Sequence, residues 1–214
     1  MKADTRRLSK QQWLQYRETI SVLEKVTSAT SEPISLAEAK DHLRVTSDDD
    51  DQLIRSYVKA ATEYCEQQVP GSRAFIQQTW DWKLHEFPGD SFELPRPPMQ
   101  SLTTVKYYAT SASTGLTTLS STAYIVHSPT SMPGMIERHP NGAAWPSHGD
   151  RADAVQVRFV AGYSTVPEQV KHAVRLVVGA MYEQRSAVLS GTSSKEIEFG
   201  VKSLLGSIGY GSYT

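Results

Sequence analysis

An α+β fold is predicted for this chain: a helical bundle built from its N- and C-terminal parts, with a small antiparallel β module inserted between them. Three observations carry the prediction. Apolar residues recur at spacings of three and four over residues 35–69 and again over 167–189, whereas between residues 74 and 163 they recur at every second position. The period-two stretches are short and are divided by Ser, Thr, Gly and Pro, the pattern of a compact antiparallel sheet or small barrel. The helical stretches flank the β region, and such an insertion is tolerated because loop-closure entropy grows slowly with length.

The 214 residues are 39% apolar and 21% charged, the composition of a globular chain with a sizeable core. A formal net charge of -1 argues against a surface built throughout to hold DNA backbone, while leaving room for a local basic patch. The first residues, MKADTRRLSKQQWLQYR, hold no apolar run like that of a secretory signal. No apolar stretch approaches the roughly 20 residues that span a bilayer. With one cysteine, Cys65, no internal disulfide forms, and a reducing, cytoplasm-like compartment is expected. Cys65 falls in a helical apolar stripe and reads as a buried, inert thiol.

Residues 1–31 form a polar N-terminal arm. Trp13, Tyr16, Ile20 and Leu23 have the spacing of a short amphipathic helix, followed by a Ser/Thr-rich linker over residues 27–31. Two readings are open: the arm packs on a neighbouring subunit, or on its own domain. Residues 32–70 read as a helical hairpin. Ser35 with Glu38 makes a capping box for a first helix through Leu36, Ala39 and Leu43. A second carries Leu53, Ile54, Tyr57, Val58, Ala61, Tyr64 and Cys65 on one stripe and ends at Pro70-Gly71.

The β module spans residues 71–165. Its expected strands centre on Trp80–Trp82–Leu84, Phe92–Leu94, Val105–Tyr107–Ala109, residues 116–119, residues 124–127, residues 135–137, and Val155–Val157–Phe159–Ala161. Trp80, Trp82 and Trp145 read as core anchors rather than stacking platforms. Pro167 sits in the first turn of a core helix over residues 166–191, with Val170, Val174, Val177 and Met181 on its apolar side. Residues 192–214 read as a Gly/Ser/Tyr-rich tail with one apolar run, Phe199, Val201, Leu204 and Leu205.

Residues that could carry chemistry do so poorly. Residues 48–51 are four aspartates, but a calcium loop alternates its ligands, needs a Gly and closes on Glu at the twelfth position, where Lys59 stands. They read instead as helix N-terminal carboxylates. Glu137, His139, His148, Asp150 and Asp153 are metal-capable but lack the paired spacing of a zinc site. Gly162-Tyr163-Ser164-Thr165-Val166 begins like a nucleophile elbow and has Val166 where the second Gly belongs. Gly206, Gly209 and Gly211 are spaced in the reverse of a dinucleotide fingerprint. No catalytic residue, metal ligand or cofactor is therefore expected. Lys171, His172, Arg175 and Arg185 lie off the apolar stripe of the last helix. They form either a solvated face or a basic contact with a partner or passing DNA.

Taken in order, Glu32-Pro-Ile-Ser-Leu-Ala-Glu-Ala-Lys-Asp-His-Leu-Arg-Val45, the aspartate run, Gln78-Thr-Trp80, Leu94-Pro-Arg-Pro-Pro98, Pro133-Gly-Met-Ile136, Val157-Arg-Phe-Val-Ala-Gly-Tyr163 and Met181-Tyr-Glu-Gln-Arg185 resemble the head–tail connector (adaptor, or head-completion) proteins of tailed phages. Phe199-Gly-Val201 with Leu204-Leu205 is similar to that family's closing segment. The resemblance implies a non-enzymatic virion protein, made in the host cytoplasm and placed in the head–tail neck. There it would form a ring of about twelve copies with cyclic symmetry beneath the portal. The ring would extend the DNA channel and offer a surface to the next neck or tail-completion protein, with genomic DNA passing through and no membrane contact. On this reading residues 192–214 are an extended docking tail, with portal contact at Phe199, Val201, Leu204, Leu205, Ile208, Tyr210 and Tyr213. Trp13, Tyr16 and Ile20 would form an inter-subunit arm, and Lys171, Arg175 and Arg185 a basic face. The alternatives are a nucleic-acid-binding module and a metal-dependent enzyme using the 137–153 loop.

Overall fold

The computed structural model describes residues 21–29, 31–69, 71–128, 133–183, 193–206 and 208, with backbone alone for 193–198. Among these, four helices and two antiparallel sheets make an α+β fold.

The hairpin starts where its capping box lies. The Ser35 hydroxyl accepts the Glu38 N–H at 3.2 Å, and the Glu38 carboxylate accepts the Ser35 N–H at 2.8 Å. Helix α1 (Leu36–Leu43) follows and ends at Arg44, which takes a left-handed φ of 57°. Helix α2 (Asp51–Gln68) turns Ile54, Val58, Ala61 and Cys65 inward at the predicted spacing. Helix α3 (Glu168–Glu183) faces them with Val170, Ala173, Val174, Val177 and Val178, and α4 (Ser193–Gly206) adds Val201 and Leu205. The four helices thus share one apolar cluster, closed by Ile34, Val69 and Phe75. Arg175 Nη2 donates to Glu38 at 3.0 Å, and the Tyr182 hydroxyl donates to Asp50 at 2.7 Å, so α3 is tied to both helices of the hairpin.

The larger sheet has the order β1 (Ser21–Thr27), β2 (Gln78–Leu84), β8 (Val155–Ala161), β4 (Met99–Tyr107), β5 (Thr117–Thr118). The smaller has the order β3 (Ser91–Glu93), β7 (Met135–Arg138), β6 (Tyr124–His127). Neither closes into a barrel. Their inner faces meet in a second cluster built on Trp80, Leu84, Phe92, Val105, Ile136, Val157 and Phe159. Trp145 joins it from a loop, stacked on Phe87 at 4.6 Å with its indole N–H donating to the Gly89 carbonyl at 2.7 Å.

Two segments depart from the sequence reading. Leu23 was expected on a helix; it lies in β1, which pairs antiparallel with β2 from Ser21↔Leu84 to Thr27↔Thr79. Residues 21–27 include the β-branched Val22, Val26 and Thr27, and the free side of β2 offers seven residues of backbone to a strand, which outweighs a spacing carried over from residues 13–20. The larger sheet is therefore not wholly an insertion, because one strand precedes the hairpin. The last core helix is described from Glu168 to Glu183, and the rest of its expected length lies outside the described residues. The C-terminal segment, read as extended, contains the 14-residue helix α4, because Val201, Leu204 and Leu205 repeat at three and four and find the helical cluster to pack on.

Candidate docking surfaces

The metal-capable residues are engaged elsewhere. His127 hydrogen-bonds Glu137 across β6 and β7 at 3.0 Å, and His85 hydrogen-bonds Asp150 at 2.9 Å. Asp153 accepts two bonds from the Arg151 guanidinium, which holds its carboxyl below the usual carboxylate range. The His148 ring meets Phe87 edge-on at 6.1 Å. Among the described residues no three His, Cys, Asp or Glu side chains converge to hold a metal ion.

The aspartate run also behaves differently from its reading. Asp50, at the N-cap of α2, makes no side-chain cap bond, and its carboxylate takes the Tyr182 hydroxyl instead. Lys40 Nζ lies 2.6 Å from Asp48 and 2.8 Å from Asp51, so a lysine pins the inter-helix turn. Asp51 remains in the first turn, where it complements the helix dipole.

Of the expected portal-contact residues, Val201 and Leu205 are fully buried in the helical cluster, and Leu204 and Ile208 pack against it. Phe199 faces the other way, 76% exposed. Tyr210 and Tyr213 lie outside the described residues, as do Trp13, Tyr16 and Ile20 of the arm and Arg185 of the basic face. Lys171 pairs with Glu168 at 2.8 Å, and Arg175 with Glu38 at 3.0 Å, so these two cations are already matched within the chain. An i,i+3 pair and an inter-helix pair leave little positive field for DNA phosphate.

Several polar groups that carry the architecture escaped the sequence reading. Glu66 is buried at the end of α2, where its Oε1 accepts the Phe75 N–H at 2.8 Å and Gln78 Nε2 at 3.0 Å. Burial pushes its carboxyl above the usual range, against the opposing pull of the Phe75 N–H, Lys25 and Arg96. Those two cations lie over the Trp80 ring, at 5.2 and 5.1 Å from its centroid. On the outer sheet face, buried Asp81 takes both arms of Arg158 at 2.6 Å and Gln156 at 2.6 Å. Strand alternation had marked Asp81 as a solvent-facing residue. Only the added β1 and the long side chains of β8 cover it.

The described residues leave some apolar surface exposed. Val22 and Val26 stand exposed on β1, at the free edge of the larger sheet. A groove of about 410 Å³ opens beside α2, floored by Ile34, Leu36 and Val58 and rimmed by Glu32, Arg55 and Lys59. Partial burial raises the Glu32 carboxyl above its ordinary range while Lys59 pulls it back. A shallower groove of about 330 Å³ is lined by Trp82, Leu94 and three prolines.

Exposed apolar surface of this kind is where a protein can meet a partner. The chain belongs to the phage gp6-like head-tail connector protein family, whose sequence profile matches residues 33–139, half of the chain. Its fold is similar to chains in three solved particles. The neck of an empty gene transfer agent (GTA) particle, computed with C6 symmetry, aligns with a TM-score of 0.72 and 22% identity over 90% of this chain and 97% of that one. The virion of the native GTA particle gives 0.70 and 23%, and the neck of the native particle, computed with C12 symmetry, 0.69 and 22%, with the same coverage. No curated protein matches the chain in sequence.

Proposed function

We propose that the protein is a structural head–tail connector subunit that acts as one member of a ring of about twelve copies in the virion neck, beneath the portal. The observation that carries this reading is family membership over residues 33–139, which span the helical hairpin and six of the eight strands from β2 to β7. The likeness to chains from particle necks with C6 and C12 symmetry supports cyclic assembly. In this reading the helices of both chain ends form a bundle that serves as the ring's platform, and the sheets project from it. The ring extends the DNA channel and presents a face to the next neck or tail-completion protein. A chain of net charge -1 suits a channel through which DNA must slide, since a strongly cationic lining would retain it.

Portal contact is proposed for the chain beyond Gly206, including Tyr210 and Tyr213, rather than for Val201 and Leu205, which the protein's own core already occupies. Trp13, Tyr16 and Ile20 are proposed to contact an adjacent copy. Electron microscopy of the purified protein, alone and mixed with portal, tests the reading. Rings that cap the portal are expected; a monomer that never associates with itself or with portal, at any concentration or in particles, overturns it.

A further inference from the structure

Phe199 is exposed and the groove beside α2 is open among the described residues. We propose that Phe199 of one copy seats in the Ile34–Leu36–Val58 groove of the next, forming the repeating contact of the ring. This rests on the ring reading and specifies its interface.

Val201 and Leu205 anchor α4 to the core, so its orientation is set, and it presents a 76% exposed phenylalanine. An aromatic side chain held in water on a rigid helix has about 150–250 Å² of surface to bury. The groove supplies an apolar floor of fitting size. Its rim carries two cations, Arg55 and Lys59, which make no salt bridge among the described residues, Lys59 acting on the single carboxylate of Glu32 at longer range. The occupant should therefore be an apolar knob accompanied by carboxylates. The turn of α4 before Phe199 contains Lys195, Glu196 and Glu198: one cation and two anions, against the one anion and two cations of Glu32, Arg55 and Lys59. Knob and groove are different surfaces of the chain, so their contact is heterologous. A heterologous contact closes rings of more than two copies, which a self-complementary patch cannot do alone.

The test uses disulfide trapping and charge reversal in the full chain. Cys65 is buried and can stay in place. Ser56 also lines the groove, so the double variant F199C/S56C, oxidised in the purified oligomer and in particles, should give a ladder of covalent multimers, with little product from either single variant. Phe199→Ser should weaken self-association about thirtyfold, the scale of an interface anchor, with an unchanged melting temperature at dilutions where both chains are monomeric. The pair R55E/K59E should lose association, and E196K/E198K should restore it. If rings form but Phe199→Ser assembles like the parent and no ladder appears, this interface is wrong and the ring reading stands. Cross-linking of F199C to a different polypeptide, portal included, likewise overturns it. The absence of rings under every condition removes both.

Discussion

Glu66, in the last turn of α2, accepts the backbone N–H of Phe75 at 2.8 Å and so bonds the helical platform to the chain that enters the first strand of the insertion. The same carboxylate oxygen takes the Gln78 side chain at 3.0 Å, and Arg73 donates to the Tyr163 hydroxyl at 2.8 Å where the chain returns from β8. The two apolar clusters are therefore joined through buried polar groups at the points where the backbone crosses between them. A rigid junction of this kind fixes the angle at which the sheets leave the helices.

The Glu66 bond makes a pH-dependent prediction. A carboxyl raised by burial binds its proton more tightly in the folded state, so folding gains from it at acid pH and loses that gain as pH rises beyond the ordinary carboxylate range. Glu66→Gln keeps an acceptor for Phe75 and carries no charge. It should melt like the parent near pH 4 and at a higher temperature near pH 8, because the parent alone must hold a buried charge. Glu66→Ala orphans the Phe75 N–H and should cost about 1–3 kcal/mol throughout. Urea melts across this pH range would expose an error in either sign.

Cys65 is fully buried between Val58, Ala61 and Val69 in the helical cluster, and burial pushes its thiol up to about 12. At pH 8 it is a thiol, shielded from reagent. Native protein should resist alkylation by iodoacetamide and react promptly in urea, with intact mass reporting the adduct. Rapid labelling of the folded chain would contradict the packing of α2 on α3.

Leu205 and Phe199 lie six residues apart on α4 and should behave as opposites. Leu205→Ala opens a cavity in the shared helical cluster and should cost about 2–5 kcal/mol. Phe199→Ser removes an exposed ring and should stay within about 0.5 kcal/mol of the parent. Removing residues 192–214 should accordingly destabilise the whole fold, since it strips Val201 and Leu205 from the core. Denaturant melts of the three variants rank them directly.

Gly162 ends β8 with φ 125°, and an added Cβ would lie 2.3 Å from the Ile76 carbonyl oxygen. Gly162→Ala should cost at least about 1–3 kcal/mol through backbone strain, with the steric clash added. A variant that melts with the parent would show that the return crossing is looser than described.

The sequence by itself determined the local elements, and the reason is periodicity. Seven of the strands and the first three helices announce themselves through spacing, capping and breakers that act within a few residues: Ser35 with Glu38, the alternation from Val155 to Ala161, and Val170 to Val177. Residue order also carried the family resemblance. What only the tertiary structure decided was the environment of residues whose partners are distant in the chain. Ser21–Thr27 became a strand because β2 had an open side. Asp81 became buried because Arg158 and Gln156, on β8, fold over it. Glu66 became the link between two cores, and Val201 and Leu205 became core while Phe199 became surface, because α2 and α3 pack on one side of α4. Spacing in sequence reports which residues share a face; which face meets water is set by long-range packing, and the choice of docking surface follows from that.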